Sequence, residues 1–405
     1  MSLLEIKRIP LTFKRFSWEI NFHEMKLIPF LMIFVNIICM TISLPDMGMQ
    51  IISYGVQGGD FLSIIFLSVL CLKDKEITRY GLLYIIFFFF LIGLSIVYLQ
   101  DVKTCTYTMI NILINLLIFR YYRNRLKFII CCYAIALSFC VYINFIHLIT
   151  HPTLWMVEDE KTNSGYLLGN NYNQMGCRLL IALITSALSV KYSKLWGINF
   201  IAIAITSIAS LLCVHSMTAL SMIVVFLIFC VIPSNQLRKL ATISLFTIYI
   251  LFQTVVVFSG KGIENNELAV YIVEDVLKKD ITFTRRTYLW DSALKTIAQS
   301  PVWGWGFVDI KWYKSFMSSQ AAGPHNFILS VLINGGILLL SLGIGIAYKS
   351  YESIRHYAKE RRCQQLIFAT ICLYFMALME MYPYTIMFYP FMLMYYYPYL
   401  ENKES

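Results

Sequence analysis

Apolar runs of close to twenty residues recur along the whole chain, separated by short polar segments. They fall at about 27–45, 51–72, 80–99, 105–121, 128–149, 174–190, 195–214, 217–233, 240–259, 326–347, 365–382 and 384–400. At about 1.5 Å of rise per helical residue, such a run crosses a hydrocarbon layer of roughly 30 Å. The pattern therefore predicts an all-α polytopic membrane protein of about 12 transmembrane helices, with residues 1–405 forming one membrane domain. Two segments break the rhythm: a mildly acidic one at about 150–173, and a long hydrophilic one at about 260–325. A connection as long as the second is uncommon unless it carries function. Within it, Leu289, Trp290, Ala293, Leu294 and Ile297 share one face of a helix predicted over 284–298. That helix is expected on the membrane surface or across the bundle mouth. It should stop at SPVWGWGF, where Pro301, Gly304 and Gly306 break regular structure.

Composition agrees with the pattern: 59% of residues are hydrophobic, 14% are charged and the mean hydropathy is +0.67. A soluble chain of this length would need an implausibly large core. With the N-terminus inside, about two-thirds of the 33 Lys and Arg residues fall in cytoplasmic segments, among them Lys7, Arg79, Arg120, Lys191, Arg238, Arg361 and Arg362. Both termini are thus expected in the cytoplasm and the long loop outside. The net charge of +10 then reports topology and calls for no nucleic-acid partner. The first 26 residues are polar and basic, so no cleavable signal peptide is expected. The 11 Cys residues lie mostly within the apolar runs without a C-x-x-C pair, as small buried apolar groups do. No metal constellation is visible. Hydropathy does not divide the chain into matching halves, as it does in many transporters.

A few polar residues stand out against this background, each with a structural reading beside a chemical one. Arg285 and Arg286 open the loop helix, where the macrodipole already presents positive charge. Either they pair with Asp280 or lipid headgroups, or they bind an anion such as phosphate. Arg178, about one turn into the sixth run, either snorkels outward past Asn173 and Gln174 or faces a cavity as a second phosphate ligand. His325 and Asn326 sit at the mouth of the tenth run, where an imidazole either rests at the interface or takes a proton from an attacking hydroxyl. On an ideal helix Gly336 returns beneath His325 three turns deeper, and Gly335 and Gly336 would admit a helix or a lipid chain there. The aromatic-rich segment at 381–400 fits interfacial belts or packing, against sugar stacking. Glu380 and Asp60 read as solvated groups near span ends, and His215 lies at the outer end of the seventh run.

Taken in order, these residues resemble the O-antigen ligase and Wzy-type polysaccharide polymerase superfamily. The carriers are Arg286 with Trp290 four residues on, then SPVWGWGF, then HNFILSVLINGG beginning at His325 and Asn326, over about 284–336. Asn173 matches a family Asn before a mid-chain span. Near His215 the family often places Ser-Arg, and here the Arg is missing. The ligase form adds Gly, Thr or Tyr three residues after Gly336, where this chain has Leu339, a departure that favours a polymerase. The resemblance implies an all-helical C-type glycosyltransferase fold working without cofactor, nucleotide sugar or metal. It also implies an oligosaccharide repeat on polyprenyl (undecaprenyl) diphosphate as donor at the outer leaflet of a bacterial plasma membrane. A second lipid-linked repeat would be the acceptor, with membrane lipids, a flippase and a chain-length regulator as partners. In that scheme His325 and Arg286 are catalytic, and Arg285, Arg178, Asn326, Asn173, Trp290 and His215 bind substrate. A ligase loading a lipid or protein acceptor is the alternative within the superfamily, and a polysaccharide or lipid transporter is the alternative outside it.

Overall fold

In hydrocarbon a backbone must satisfy its own polar groups, so runs that are apolar on every side form helices. The computed structural model describes residues 10–13, 16–19, 27–43, 48–72, 78–156, 165–169, 171–261, 267, 271, 286–318 and 321–401. The principal helices are α1 (Leu27–Thr41), α2 (Gln50–Leu72), α3 (Arg79–Val97), α4 (Val102–Tyr121), α5 (Leu126–Thr150), α6 (Tyr172–Ser189) and α7 (Lys194–Cys213). They continue as α8 (Met217–Val231), α9 (Asn235–Leu251), α10 (Arg286–Gln299), α11 (Ile310–Phe316), α12 (Phe327–Ile354), α13 (Arg361–Met376) and α14 (Tyr384–Tyr396). A short antiparallel hairpin, β1 (Pro10–Phe13) with β2 (Phe16–Glu19), precedes them and departs from the all-α expectation. Several helices open on a side-chain cap: Thr78, Asp101, Asn171, Ser193 and Ser234 each accept a hydrogen bond from a first-turn N–H.

Every run predicted from the sequence carries a helix, and among the described residues 8 helices are long and apolar enough to cross a membrane. These are α2 to α7, α9 and α12 with their short extensions, and the protein is a multi-pass membrane protein. Helix length among the described residues thus supports eight of the about twelve expected crossings. Helices α1 and α8 are short, and α14, at 13 residues, rises only about 20 Å. Helix α14 is buried along almost its whole length, so packing sets its extent in place of lipid thickness. Its aromatic residues serve that packing: Tyr395 stacks on Tyr80 at 3.8 Å, and Tyr389 meets the Thr185 hydroxyl at 3.2 Å.

Polar pairs fasten the bundle at both ends and in the middle. At one end Arg238 donates to Gln364 at 2.6 Å, and both Lys191 and Arg362 pair with Glu401. At the other end Gly169 N–H donates to Thr41, and Asp101 N–H donates to Phe307. Asp60, read from sequence as a solvated group, is fully buried midway along α2. It accepts from Asn36 at 3.5 Å, and Asn36 joins Asn111 and Asn115 in a carboxamide ladder that ties α1, α2 and α4.

The connection after α10 enters the bundle. Helix α12 is interrupted at Gly335 (φ −148°, ψ 16°) and Gly336 (φ 61°, ψ −160°). The interruption separates Ile337 N–H from its helical partner, the Ile333 carbonyl. Both are re-paired by the segment after α10: Ile337 N–H donates to Pro301 at 2.9 Å, and Trp305 N–H donates to Ile333 at 2.8 Å. The next pair is treated likewise, Leu338 N–H reaching Val302 and Gly306 N–H reaching the Asn334 carbonyl. A Cβ at Gly336 would lie 2.3 Å from the Val302 carbonyl, and one at Gly304 would lie 2.5 Å from Gly335 N. The glycines do admit a close neighbour, as their type predicts, but the neighbour is this backbone segment and not another helix or a lipid chain.

Gly336→Ala and Gly304→Ala should each destabilise the protein by on the order of 1–3 kcal/mol. Gly197→Ala, in α7 with open space around it, should be neutral or stabilising by up to about 1 kcal/mol. Thermal unfolding of the detergent-solubilised variants checks this, and equal midpoints for all three would refute the join.

Candidate functional site

His325 is held by its own chain and by a partner far along it. Its backbone is left-handed (φ 46°), a conformation that costs a non-glycine residue on the order of 1–3 kcal/mol. The next residue fixes it. Asn326 is fully buried, caps α12 by accepting from Leu329 N–H at 3.0 Å, and donates to Gln253 at 2.9 Å and to the Leu378 carbonyl at 3.2 Å. Gln253 lies on a π-helical stretch, Phe252–Val257, that continues α9, and such bulges are frequent at functional sites. With its carboxamide committed in this way, Asn326 positions the His325 loop and has little left to offer a substrate.

The imidazole points to the turn between α13 and α14. His325 Nδ1 lies 3.1 Å from Glu380 Oε1, which also accepts from Met381 N–H at 3.1 Å. Glu380 is buried and not solvated as its sequence position suggests, because the turn folds back against the start of α12. In a neutral imidazole, Nδ1–H donating to the carboxylate selects the tautomer in which Nε2 is the acceptor.

Two cations belong to the same neighbourhood. Arg178 is buried in α6 and turns back toward the helix start, donating to the Gln174 carbonyl at 2.6 Å, while its Nε has no hydrogen-bond partner among the described residues. Gly169 (φ 81°) lies directly against the guanidinium, where a Cβ would meet Nη1 at 2.4 Å. The Gln174 side chain donates to the Met381 carbonyl and so ties Arg178 to the turn that holds Glu380. Arg286 begins α10, and no carboxylate among the described residues pairs with it or with Arg178. Tyr382 marks where the groups converge. Burial pushes its phenol up, Cys177 and Glu380 add to that, and Arg286 and Arg178 pull the other way. One buried hydroxyl therefore feels Glu380, Arg286 and Arg178 together.

The remaining sequence candidates lie elsewhere. Trp290 is fully buried in the apolar cluster beneath α10 with Val257, Trp312 and Leu329, so it packs the helix and presents no face for a sugar. Leu289, Leu294 and Ile297 pack against the same cluster, as the predicted helical face requires. Asn173 contributes its N–H to the Asn171 cap at 2.8 Å. His215 is exposed in the α7–α8 turn with left-handed backbone (φ 54°), and no hydrogen bond described for it joins it to the cluster. Arg285 and Asp280 lie outside the described residues. Glu380, Tyr382, Gln174 and Gln253 escape a reading of the sequence because none stands in a motif. An acid in a turn and amides near helix ends were the available signal. Among the described residues no three His, Cys, Asp or Glu side chains gather as a metal would need.

Residues 201–344 match the O-antigen ligase family. The match takes in Arg286, His325 and Asn326 and excludes Arg178 and Glu380, which the fold brings to them from either side. No curated protein and no solved structure matches the chain.

Asn326→Ala should remove the α12 cap, worth about 1 kcal/mol, and release the His325 backbone. Amide exchange at Leu329 and its neighbours should quicken about fivefold while exchange in α4 stays constant. Unchanged protection at Leu329 would show that the cap is not what holds the loop.

Proposed function

We propose that the protein is a membrane glycosyltransferase that moves an oligosaccharide from a polyprenyl diphosphate to a hydroxyl of an acceptor glycan. In this reading it works at the outer face of a bacterial plasma membrane and builds a surface polysaccharide. The observation that supports it is the convergence, at one end of a helical bundle, of an imidazole–carboxylate pair and two arginines that have no carboxylate partner among the described residues. An acceptor hydroxyl attacks the anomeric carbon of the donor as the bond from that carbon to the diphosphate oxygen breaks. The hydroxyl proton passes to His325 Nε2, and the bonding electrons leave with the diphosphate. Arg286 and Arg178 carry the charge that grows on the leaving group, as preorganised cations in a water-poor site do best. Arg285 stands beside Arg286 in the chain and would strengthen the same field. Glu380 keeps the imidazole oriented and steadies its protonated form.

Within the superfamily we favour a polymerase over a ligase. The ligase pattern would put a Gly, Thr or Tyr where this chain has Leu339, and Leu339 is fully buried with its side chain over Gly335. A residue so placed completes the broken helix and does not touch an acceptor. The acceptor is accordingly another lipid-linked repeat, delivered by a flippase, with chain length set by a separate regulator.

Purified protein in lipid discs, given a lipid-linked repeat, should yield a ladder of glycans and release lipid diphosphate. His325→Ala and Arg286→Ala should abolish both, and Glu380→Gln should slow turnover by roughly 10²–10⁴ with little change in KM. Transfer in a single step to another acceptor would indicate a ligase. Near-normal products from His325→Ala and Arg286→Ala would sink the site itself.

A further inference from the structure

A cavity lies between the α3–α4 turn and α11, with a volume of about 540 Å³. That is within the roughly 300–1,000 Å³ of small-ligand pockets. Two carboxylates, Asp101 and Asp309, line it, and each is held by helix capping. Asp101 Oδ1 accepts from Thr104 N–H at 3.0 Å at the start of α4, and Asp309 Oδ1 accepts from Trp312 N–H at 2.8 Å at the start of α11. Each cap uses one oxygen and leaves the other to a ligand. The floor is aromatic: Phe316 is 52% exposed and stacks on Trp312 with ring centroids 4.5 Å apart and planes 16° apart. Trp305 flanks the pair at 5.9 Å. The walls are joined to each other, since Asp101 N–H donates to the Phe307 carbonyl at 3.2 Å.

This combination selects among ligands. Among the described lining residues two carboxylates stand against Lys311, a net negative balance that disfavours an anionic group such as a phosphate, opposite to the Arg286 and Arg178 region. Fixed carboxylate oxygens and the Gln100 amide suit a ligand rich in hydroxyl donors, and an exposed aromatic face suits the apolar face of a sugar ring. The cavity also adjoins the chain that bears the imidazole. Helix α11 precedes His325 in the chain, and Gly323, two residues before it, packs against Met381 and Tyr313, where a Cβ would lie 2.0 Å from Met381 Cε and 3.6 Å from a Tyr313 ring carbon.

We propose that this cavity is a glycan subsite, holding a neutral sugar ring of the acceptor chain while its terminal hydroxyl is presented to His325. The assignment rests on the transfer reading for its role in catalysis but not for its ligand. The test uses protein in lipid discs and soluble oligosaccharides cut from the surface polysaccharide of the source cell, with tryptophan fluorescence reporting on Trp312 and Trp305. Wild type and His325→Ala should bind alike. Phe316→Ala, and Asp309→Asn, which keeps the helix cap, should bind about tenfold more weakly and raise KM for acceptor without lowering kcat to match. Binding undiminished in both pocket variants, or transfer by a wild-type protein that shows no oligosaccharide binding, would overturn the subsite. Binding that is lost in the pocket variants, in a protein that transfers nothing, would keep the subsite and discard the transferase reading.

Discussion

A membrane-embedded chain has no water to receive orphaned backbone groups, and the interruption of α12 creates four of them at once. The fold answers with the segment from Pro301 to Gly306, whose own carbonyls and N–H groups take up both halves of each broken pair. Much of the candidate site hangs on that exchange. It draws the connection after α10 into the bundle, sets α11 beside the α3–α4 turn, and leaves the upper half of α12 as a short rigid stem beneath His325. Were the helix continuous, the same connection would have no partners inside the bundle, and α10 and α11 would lose their anchorage to it.

On that stem the polar residues divide the work. Asn326 and Gln253 hold the backbone in a strained conformation, Glu380 holds the ring, and Gln174 links Arg178 to the turn that carries Glu380. Contributions come from α6, α9, α10, α12 and the α13–α14 turn, so the geometry is a property of the assembled bundle. The carboxamide ladder around Asp60 belongs to a different task. It ties the first helices together at mid-depth, where hydrogen bonds must supply what the hydrophobic effect cannot.

Much of this is written locally in the sequence. Uniformly apolar runs locate every long helix, the one-sided pattern of Leu289, Ala293, Leu294 and Ile297 locates α10, and a polar dipeptide before an apolar run locates the start of α12. What sequence withholds is which distant residue fills a given space. Gly335 and Gly336 announce a close approach without naming the approaching segment. Trp290 stands in a family pattern and proves to be core, because a Trp on the buried face of a helix is read the same way whether its neighbours are protein or sugar. Glu380 looks solvated in a turn because nothing local shows that the turn closes over His325. Helix length likewise misleads where burial within protein replaces lipid, as in α14.

The join across α12 is made by main-chain atoms alone, apart from the glycines that let them meet. Val302 and Trp303, which lie in that joining segment, keep their side chains 42% and 53% exposed. The segment thus separates architecture from chemistry: its backbone is fixed by the helix it repairs, while its outward side chains are at liberty to change. Such a chain can alter what it meets at this end of the bundle without reopening the question of how it folds.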